Sequence, residues 1–270
     1  MEQKRNLKPK CELYHDHFEN HKRYPIQKAQ LIIADIPYNL GNNAYASNVS
    51  WYEGGEIANG ESKLAGTQFF KTDKNFNIDN FFRFVKRLLK PEPKEIGKAP
   101  ALIILCAFHQ LAPLIEIAKE HGFKTFNHPL VFTKNYSAEV LKANMRIVGA
   151  CEYGLVFYRD KLPKFNNGGK MVFNHMEFGR LEENKIHPTQ KPLELLKKLI
   201  TLFTDVGDVV IDPVAGSGST LLASKILNRN SYGFEIKRNF YKEAIKNINE
   251  VEPTIVNGQK TVQTNIFDFL

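Results

Sequence analysis

Two apolar runs in this chain stop on a carboxylate and break at once into a turn: "LIIADIPYNLG" (31–41) and "VVIDPVAGSGST" (209–220). A short apolar run bounded by turn residues reads as an interior strand. Further runs of this kind are "ALIILC" (101–106), "HPLVF" (128–132), "EYGLVFY" (152–158) and "SYGFE" (231–235). Helical patterns lie between several of them: "NFFRFVKRLLK" (80–90), "LAPLIEIAKEHG" (111–122), "PLELLKKLITLF" (192–203) and "STLLASKILNRN" (219–230). Strands that alternate with helices imply a mostly parallel sheet covered on both faces. The expected fold is therefore a doubly wound, Rossmann-like α/β sheet. No amphipathic helix separates "HPLVF" from "EYGLVFY", which predicts an antiparallel strand at one edge.

In an open sheet of this class ligands bind beyond the carboxyl ends of the strands. Asp35 stands at one such end, followed by Pro37 and Tyr38; Asp212 stands at the other, followed by Gly216 and Gly218 around Ser217. Glycines let a backbone take φ > 0 and approach a ligand closely. The helix expected from Ser219 offers unpaired N–H groups and positive potential at its start. Glu235 closes the next strand, about 20 residues on, where an acid suits the hydroxyls of a ribose. A glycine turn with an acidic strand end is a nucleoside-cofactor arrangement. No Gly-Lys-Ser/Thr follows the turn, which excludes a Walker loop, and Asp212 would repel a pyrophosphate.

The chain has 270 residues, 43% hydrophobic and 24% charged, enough for a substantial core in one large domain or two small ones; we read residues 1–270 as one domain. The formal charge of +8 favours a polyanionic partner through counterion release. Three cysteines, Cys11, Cys106 and Cys151, are too few and too scattered for a disulfide framework or a cysteine-rich zinc site. Cys106 ends an apolar run and reads as a core thiol. The N-terminus "MEQKRNLKPK" is charged with no apolar region behind it, and no run approaches the ~20 apolar residues of a membrane span. The expectation is a soluble, cytoplasmic protein without membrane contact.

Two segments stand outside the sheet pattern. Residues 41–79 are rich in Gly and Asn with Trp51, Tyr52 and Phe70 interleaved; residues 160–186 carry Lys161, Lys164, Lys170 and Arg180. Long irregular stretches in a compact domain are commonly functional loops. Both are candidates for groove contact, with the lysines on phosphates, and the second for target recognition.

These stretches resemble an amino-group DNA methyltransferase that uses S-adenosyl-L-methionine. "DIPY" (35–38) resembles the Asp-Pro-Pro-Tyr catalytic motif of that family, and "DPVAGSGST" (212–220) its cofactor loop. "IHPTQKPLELL" (186–196) resembles the segment that covers the methionine end of the cofactor. The resemblance spans roughly residues 11–245, and the order of the motifs is that of the β subgroup. It divides the chain into a catalytic strand and turn at 31–39, a cofactor half at 187–250 and a flexible tail at 251–270.

The resemblance implies duplex DNA as substrate and N6 of a flipped-out adenine as the methyl acceptor. It makes Asp35, Ile36, Pro37 and Tyr38 the catalytic turn. Asp35 and the Ile36 carbonyl accept the two amine protons, and Tyr38 stacks on the base, a contact worth ~1–3 kcal/mol. Ile36 replaces a proline, so it brings an N–H that needs a partner. On the cofactor side the implied residues are His187, Pro188, Thr189, Gln190 and Lys191, then Asp212, Pro213, Ala215, Gly216, Ser217, Gly218, Ser219 and Thr220, then Glu235. Lys191 and Thr189 suit the methionine carboxylate, the Gly216–Gly218 turn the ribose–methionine region, Asp212 the α-amine and Glu235 the ribose. "CELYHDHFENH" (11–21) resembles the segment that would set Asp16 by the adenine ring. Its histidines, His15, His17 and His21, could suggest a metal, but methyl displacement needs none.

Three rivals stand beside this reading. Cytosine-N4 methylation is chemically close, although that branch usually carries Ser in place of Asp35. Relatives acting on RNA or on protein glutamine typically carry Asn there, with the motifs in the other order. A non-catalytic DNA-binding relative is the third. The letters leave open whether the chain forms the homodimer habitual in the family, or accompanies a restriction enzyme. "QTNIF", from Gln263 to Phe267, resembles the short peptide by which bacterial proteins dock on the replication sliding clamp. The methyltransferase reading requires positions 35 and 216 to open onto one cleft.

Overall fold

A computed structural model describes residues 8–37, 76–134, 149–178 and 191–251, together with Met145 and Ile147. Tyr38, Trp51, Tyr52, Phe70, Arg180, His187, Pro188, Thr189, Gln190 and the 263–267 peptide lie outside the described residues.

The described strands are β1 (Cys11–Tyr14), β2 (Leu31–Asp35), β3 (Ala101–Cys106), β4 (Lys124–Thr125), β5 (Leu130–Lys134), β6 (Cys151–Tyr158), β7 (His175–Phe178), β8 (Val209–Asp212) and β9 (Asn230–Phe234). The α-helices are α1 (Ile78–Leu88), α2 (Leu111–Glu120), α3 (Leu193–Phe203), α4 (Ser219–Ile226) and α5 (Arg238–Glu250). One sheet runs β1-β9-β8-β2-β3-β6-β5-β7, with β4 paired to β6. β6 is antiparallel to β3 on one side and to β5 on the other, while the remaining long strands share one direction. The sheet is thus mostly parallel, and its antiparallel part lies near one edge.

Alternation along β2 sorts the core onto two faces. Ile32, Ala34 and Ile36 pack with Phe81, Phe82, Phe84, Val85 and Leu88 of α1 and with Leu114 and Ala118 of α2. Leu31 and Ile33 pack with Leu195, Leu196 and Leu199 of α3 and with Ala223 of α4. α1 forms where it does because Asn77 caps it, accepting from the Asn80 N–H at 2.9 Å. Its apolar stripe is then buried almost completely, and burying each such side chain contributes ~1.5–3 kcal/mol. The expected helix at 219–230 ends early, since Asn228 turns back at φ 59° and β9 begins at Asn230.

β7 lies inside the segment expected to be irregular, and β1 and β4 also go beyond the strands expected. Two of the lysines of 160–186, Lys161 and Lys164, are engaged within the chain. Lys161 donates to the carbonyls of Pro93 (2.8 Å) and Lys94 (2.7 Å). Lys164, 11% exposed, pairs with Asp205 and Asp208, and its backbone N–H bonds to Ala99 just ahead of β3. Both therefore sit by the amino ends of the parallel strands, opposite the edge where Asp35 lies. No helix among the described residues is long and apolar enough to cross a membrane.

Candidate active site

β2 and β8 are parallel neighbours, with Leu31 opposite Val210 and Ile32 opposite Ile211. From this pair the chain winds one way, β2 to β3, and the other way, β8 to β9, so the crevice between their carboxyl ends is the switch point where α/β sheets bind ligands. Asp35 and Asp212 both end strands at that crevice. Glu235 follows β9 on the same edge, its N–H bonded to the Tyr14 carbonyl at the end of β1. The acids expected at the site thus come together on adjacent strand ends.

The turn after β8 is built by several bonds. Asp212 accepts from the Val214 N–H at 3.0 Å, and the Ala215 N–H reaches Phe234 of β9 at 2.8 Å. Gly216 has φ 51° and Gly218 φ 75°, in the left-handed region that side chains rarely adopt. Gly218 is also crowded: a Cβ there would stand 3.0 Å from Ala244 Cβ and 3.1 Å from Ile248 Cδ1 of α5. Ser217, Ser219 and Thr220 are buried, with the Ser217 and Ser219 hydroxyls 2.8 Å apart. Pro213 and Val214 carry the chain over the top of β8. Glu235 pins the turn, one oxygen accepting from the Gly216 N–H at 2.9 Å and the other from the Lys237 N–H at 2.6 Å.

This edge is acidic. Burial pushes the Asp212 carboxyl up to about 7, and the charges of Asp35 and Glu235 push the same way against the Thr220 and Val214 hydrogen bonds. Glu235 is raised too, by burial, despite its two backbone donors. Asp35, Asp212 and Glu235 together make an edge that, where ionised, repels phosphates and attracts cations, which fits a cofactor with a sulfonium and an ammonium group.

Asp16 lies just past the end of β1. Its Oδ1 accepts from the His17 N–H and from Asn20 Nδ2, each at 2.7 Å, and its Oδ2 from the Tyr24 hydroxyl at 2.8 Å. Burial works against its charge, yet these donors and Arg23 hold it below the usual carboxylate range.

Around Asp35 the structure brings Lys191, which the sequence reading sets on the methionine carboxylate, together with Glu152, Lys134 and Gln110, which it does not single out. The Lys191 ammonium, two residues ahead of α3, lies 2.9 Å from Asp35 Oδ2 and 3.0 Å from Glu152 Oε2. Lys134 of β5 pairs with the other Glu152 oxygen. Burial opposes the Glu152 charge, but Lys191 and then Lys134 outweigh it and draw the carboxyl down to about 2. Lys191 thus stands on the side of Asp35. Gln110 donates to the Pro37 carbonyl at 2.8 Å. The signal for Glu152 was present in the letters, as a lone acid opening an otherwise apolar strand.

Ile36 has what a proline there would lack. Its N–H donates to the Leu105 carbonyl at 3.3 Å, and its side chain, 4% exposed, joins the core on the α1 face. Cys106 is buried beside the site, its thiol pushed up to about 12 by burial and by the Asp35 charge.

Residues 29–246 match the family model described as DNA methylase. The Type II methyltransferase M2.MboI of Moraxella bovis is 26% identical over 242 residues, which covers 85% of this chain and 84% of that protein. The DNA adenine methyltransferase YhdJ of Escherichia coli (strain K12) is 23% identical over 256 residues, 84% of this chain and 78% of its own length. Among solved structures, the M1.HpyAVI–SAM complex superposes with a TM-score of 0.62 at 22% identity, covering 88% of this chain and 98% of that one. PvuII DNA methyltransferase (cytosine-N4-specific) does so with a TM-score of 0.65 at 17% identity, covering 98% and 94%.

Proposed function

The chain belongs to the DNA methylase family, the amino-group DNA methyltransferases that use S-adenosylmethionine, and from that premise we propose that it methylates N6 of adenine in duplex DNA as a β-subgroup member. The observation that carries the reading is the pairing of β2 with β8, which sets Asp35 beside the glycine turn at one crevice. Adenine rather than cytosine is supported by the carboxylate at Asp35 and by the likeness to an adenine methyltransferase.

S-adenosylmethionine, when bound, supplies an electrophilic methyl group on a sulfonium. We assign it to the crevice lined by Asp16, Asp212, the Gly216–Gly218 turn and Glu235, where the acidic edge complements its positive charges. The rest of the chemistry belongs to the chain. An exocyclic amine is a weak nucleophile because its lone pair is delocalised into the base. Asp35 accepts one N–H and the Ile36 carbonyl the other, which draws the nitrogen towards a pyramidal geometry. As positive charge develops on that nitrogen, the carboxylate stabilises it more than it stabilises the neutral amine. Lys191, 2.9 Å from its Oδ2, holds Asp35 in place. Tyr38 is assigned to stacking on the extruded base.

Nucleosides from duplex DNA treated with the purified protein and cofactor test the assignment by mass spectrometry. N6-methyladenine is expected. The second reading, cytosine-N4 transfer, is favoured by the likeness to PvuII methyltransferase; N4-methylcytosine as the product would establish it and overturn the first.

A further inference from the structure

We propose that Glu152 is a positioning residue for the methyl-accepting half of the site. It shares the Lys191 ammonium with Asp35, so that Asp35 is oriented by a cation it does not own. The proposal rests on the methyltransferase reading of Asp35.

The geometry is specific. Lys191 Nζ sits between two carboxylates at nearly equal distances, 2.9 Å from Asp35 and 3.0 Å from Glu152, and the lysine is 7% exposed. Lys134, equally buried, holds the far oxygen of Glu152. The charges alternate along the row Asp35, Lys191, Glu152, Lys134 and cancel. β6 makes this possible because it is the reversed strand. It enters the sheet at the edge where the parallel strands leave it, so Glu152 stands opposite Phe132 of β5, and Tyr153 opposite Cys106 of β3. An acid at the start of β6 therefore arrives beside the site, whereas the start of any parallel strand would be at the far edge.

A carboxylate that holds a lysine to itself is a poor acceptor for an amine proton, because the cation offsets the negative charge the amine must find. Sharing the ammonium with Glu152 leaves Asp35 more of its charge. Asp35 is faced by Lys191 ahead of α3, by Cys106 of β3 and by Asp212 of β8; Glu152 of β6 and Lys134 of β5 act on it through Lys191. Removing Glu152 adds a net positive charge to this group, and removing Lys191 adds a negative one.

The test compares the full-length protein with Glu152→Gln, Glu152→Asp and Lys191→Met, reading kcat and KM on duplex DNA, cofactor affinity by calorimetry and the pH dependence of kcat. Glu152→Gln is expected to lower kcat about 100-fold, the scale of a misplaced reacting group, with KM and cofactor affinity little changed. The acid limb of its kcat profile moves to lower pH and that of Lys191→Met to higher pH. Glu152→Asp recovers part of the rate. The double variant Glu152→Gln/Lys134→Met removes one charge of each sign and keeps the site neutral should the single variant fold poorly; its kcat still falls, because Lys191 is released to Asp35. Unchanged kcat in either Glu152→Gln variant, or a loss confined to thermal stability with the pH profile unmoved, overturns the proposal. Absence of methyl transfer by the unaltered protein overturns the methyltransferase reading itself.

Discussion

The Gln110 side-chain amide donates to the Pro37 carbonyl across 2.8 Å, while its own oxygen accepts from the Ala107 N–H at 2.9 Å. One side chain thus ties the turn after β3 to the turn after β2. The Pro37 carbonyl lies two residues beyond Asp35, so its direction fixes the turn that presents the acceptors. Gln110→Leu removes the donor and leaves that carbonyl without it, at a cost of ~1–3 kcal/mol. Because the turn is at a chain exit and not in the core, the cost falls mainly on positioning. We expect kcat on duplex DNA to drop about tenfold, the equivalent of ~1.4 kcal/mol, with cofactor affinity within twofold by calorimetry. An unchanged kcat contradicts the clamp.

Asp212 predicts a pH dependence of cofactor binding. Its carboxyl titrates near 7 in the folded chain, raised by burial and then by Asp35 and Glu235. A cationic ligand favours the ionised form, so below pH 7 binding must expel a proton. Affinity for S-adenosylmethionine should rise as pH increases from 5.5 to about 7 and then level, approaching tenfold per pH unit on the acid side. Calorimetry in buffers of different ionisation enthalpy should show proton release at pH 6 and little at pH 8.5. Asp212→Asn should flatten the profile. A profile equally steep in that variant assigns the proton elsewhere.

The same carboxyl has a stability consequence of opposite sense. Its folded value lies above the usual 3.8, so the stability associated with the protonated, buried form is present below about pH 4. That stability is lost as pH rises through 7. Asp212→Asn should therefore raise the melting temperature more at pH 8 than at pH 5. Equal shifts at the two pH values would contradict the raised value.

Much of this arrangement was readable in the letters, for a physical reason. β2, β3 and β8 are continuous apolar runs because both faces are buried, and each stops where the sheet stops, so an acid at the end of such a run marks the ligand edge by itself. Asp35, Asp212 and Glu235 were found that way. β1, β4 and β7 were missed because they are short and half-exposed, with Glu12, Lys124 and Glu177 interrupting any apolar run. Gln110, Glu152 and Lys134 were missed because their partners lie far away in sequence; Glu152 reads as an odd letter in a strand until β6 is known to run backwards. The basic loop lysines misled in the other direction. Lys161 and Lys164 read as phosphate contacts of a basic loop, but the chain after β6 passes the amino ends of the strands, where carbonyls and aspartates take them up.

Gly218 is constrained twice, by φ 75° and by the α5 side chains 3.0 and 3.1 Å from where a Cβ would sit. Gly218→Ala should cost ~1–2 kcal/mol for the left-handed backbone and ~1–3 kcal/mol for overpacking against Ala244 and Ile248. Relief requires the glycine turn to shift away from α5. Cofactor affinity should therefore fall together with the melting temperature, measured by calorimetry and by thermal denaturation of the same preparation. A variant that keeps its melting temperature would show that α5 gives way freely.

Ile36→Pro restores the family letters and yet should not improve the enzyme. The Ile36 N–H donates to Leu105 at 3.3 Å and its side chain is 4% exposed in the core on the α1 face. Proline removes the donor, a net loss of ~0.5–1.5 kcal/mol, and vacates volume beside Phe81 and Ile104, a further ~1–3 kcal/mol by analogy with large-to-small core changes. For a domain of this size each kcal/mol corresponds to ~2–4 °C, so the melting temperature should fall by about 5–15 °C. The acceptor assigned to this position is a backbone carbonyl, which both residues possess, so kcat per folded molecule should stay within about threefold, below the ~1.4 kcal/mol that a tenfold change represents. Thermal denaturation and single-turnover methyl transfer on the same variant separate the two effects. A faster enzyme with unchanged stability would mean that the Ile36 side chain, and not its carbonyl, limits the reaction.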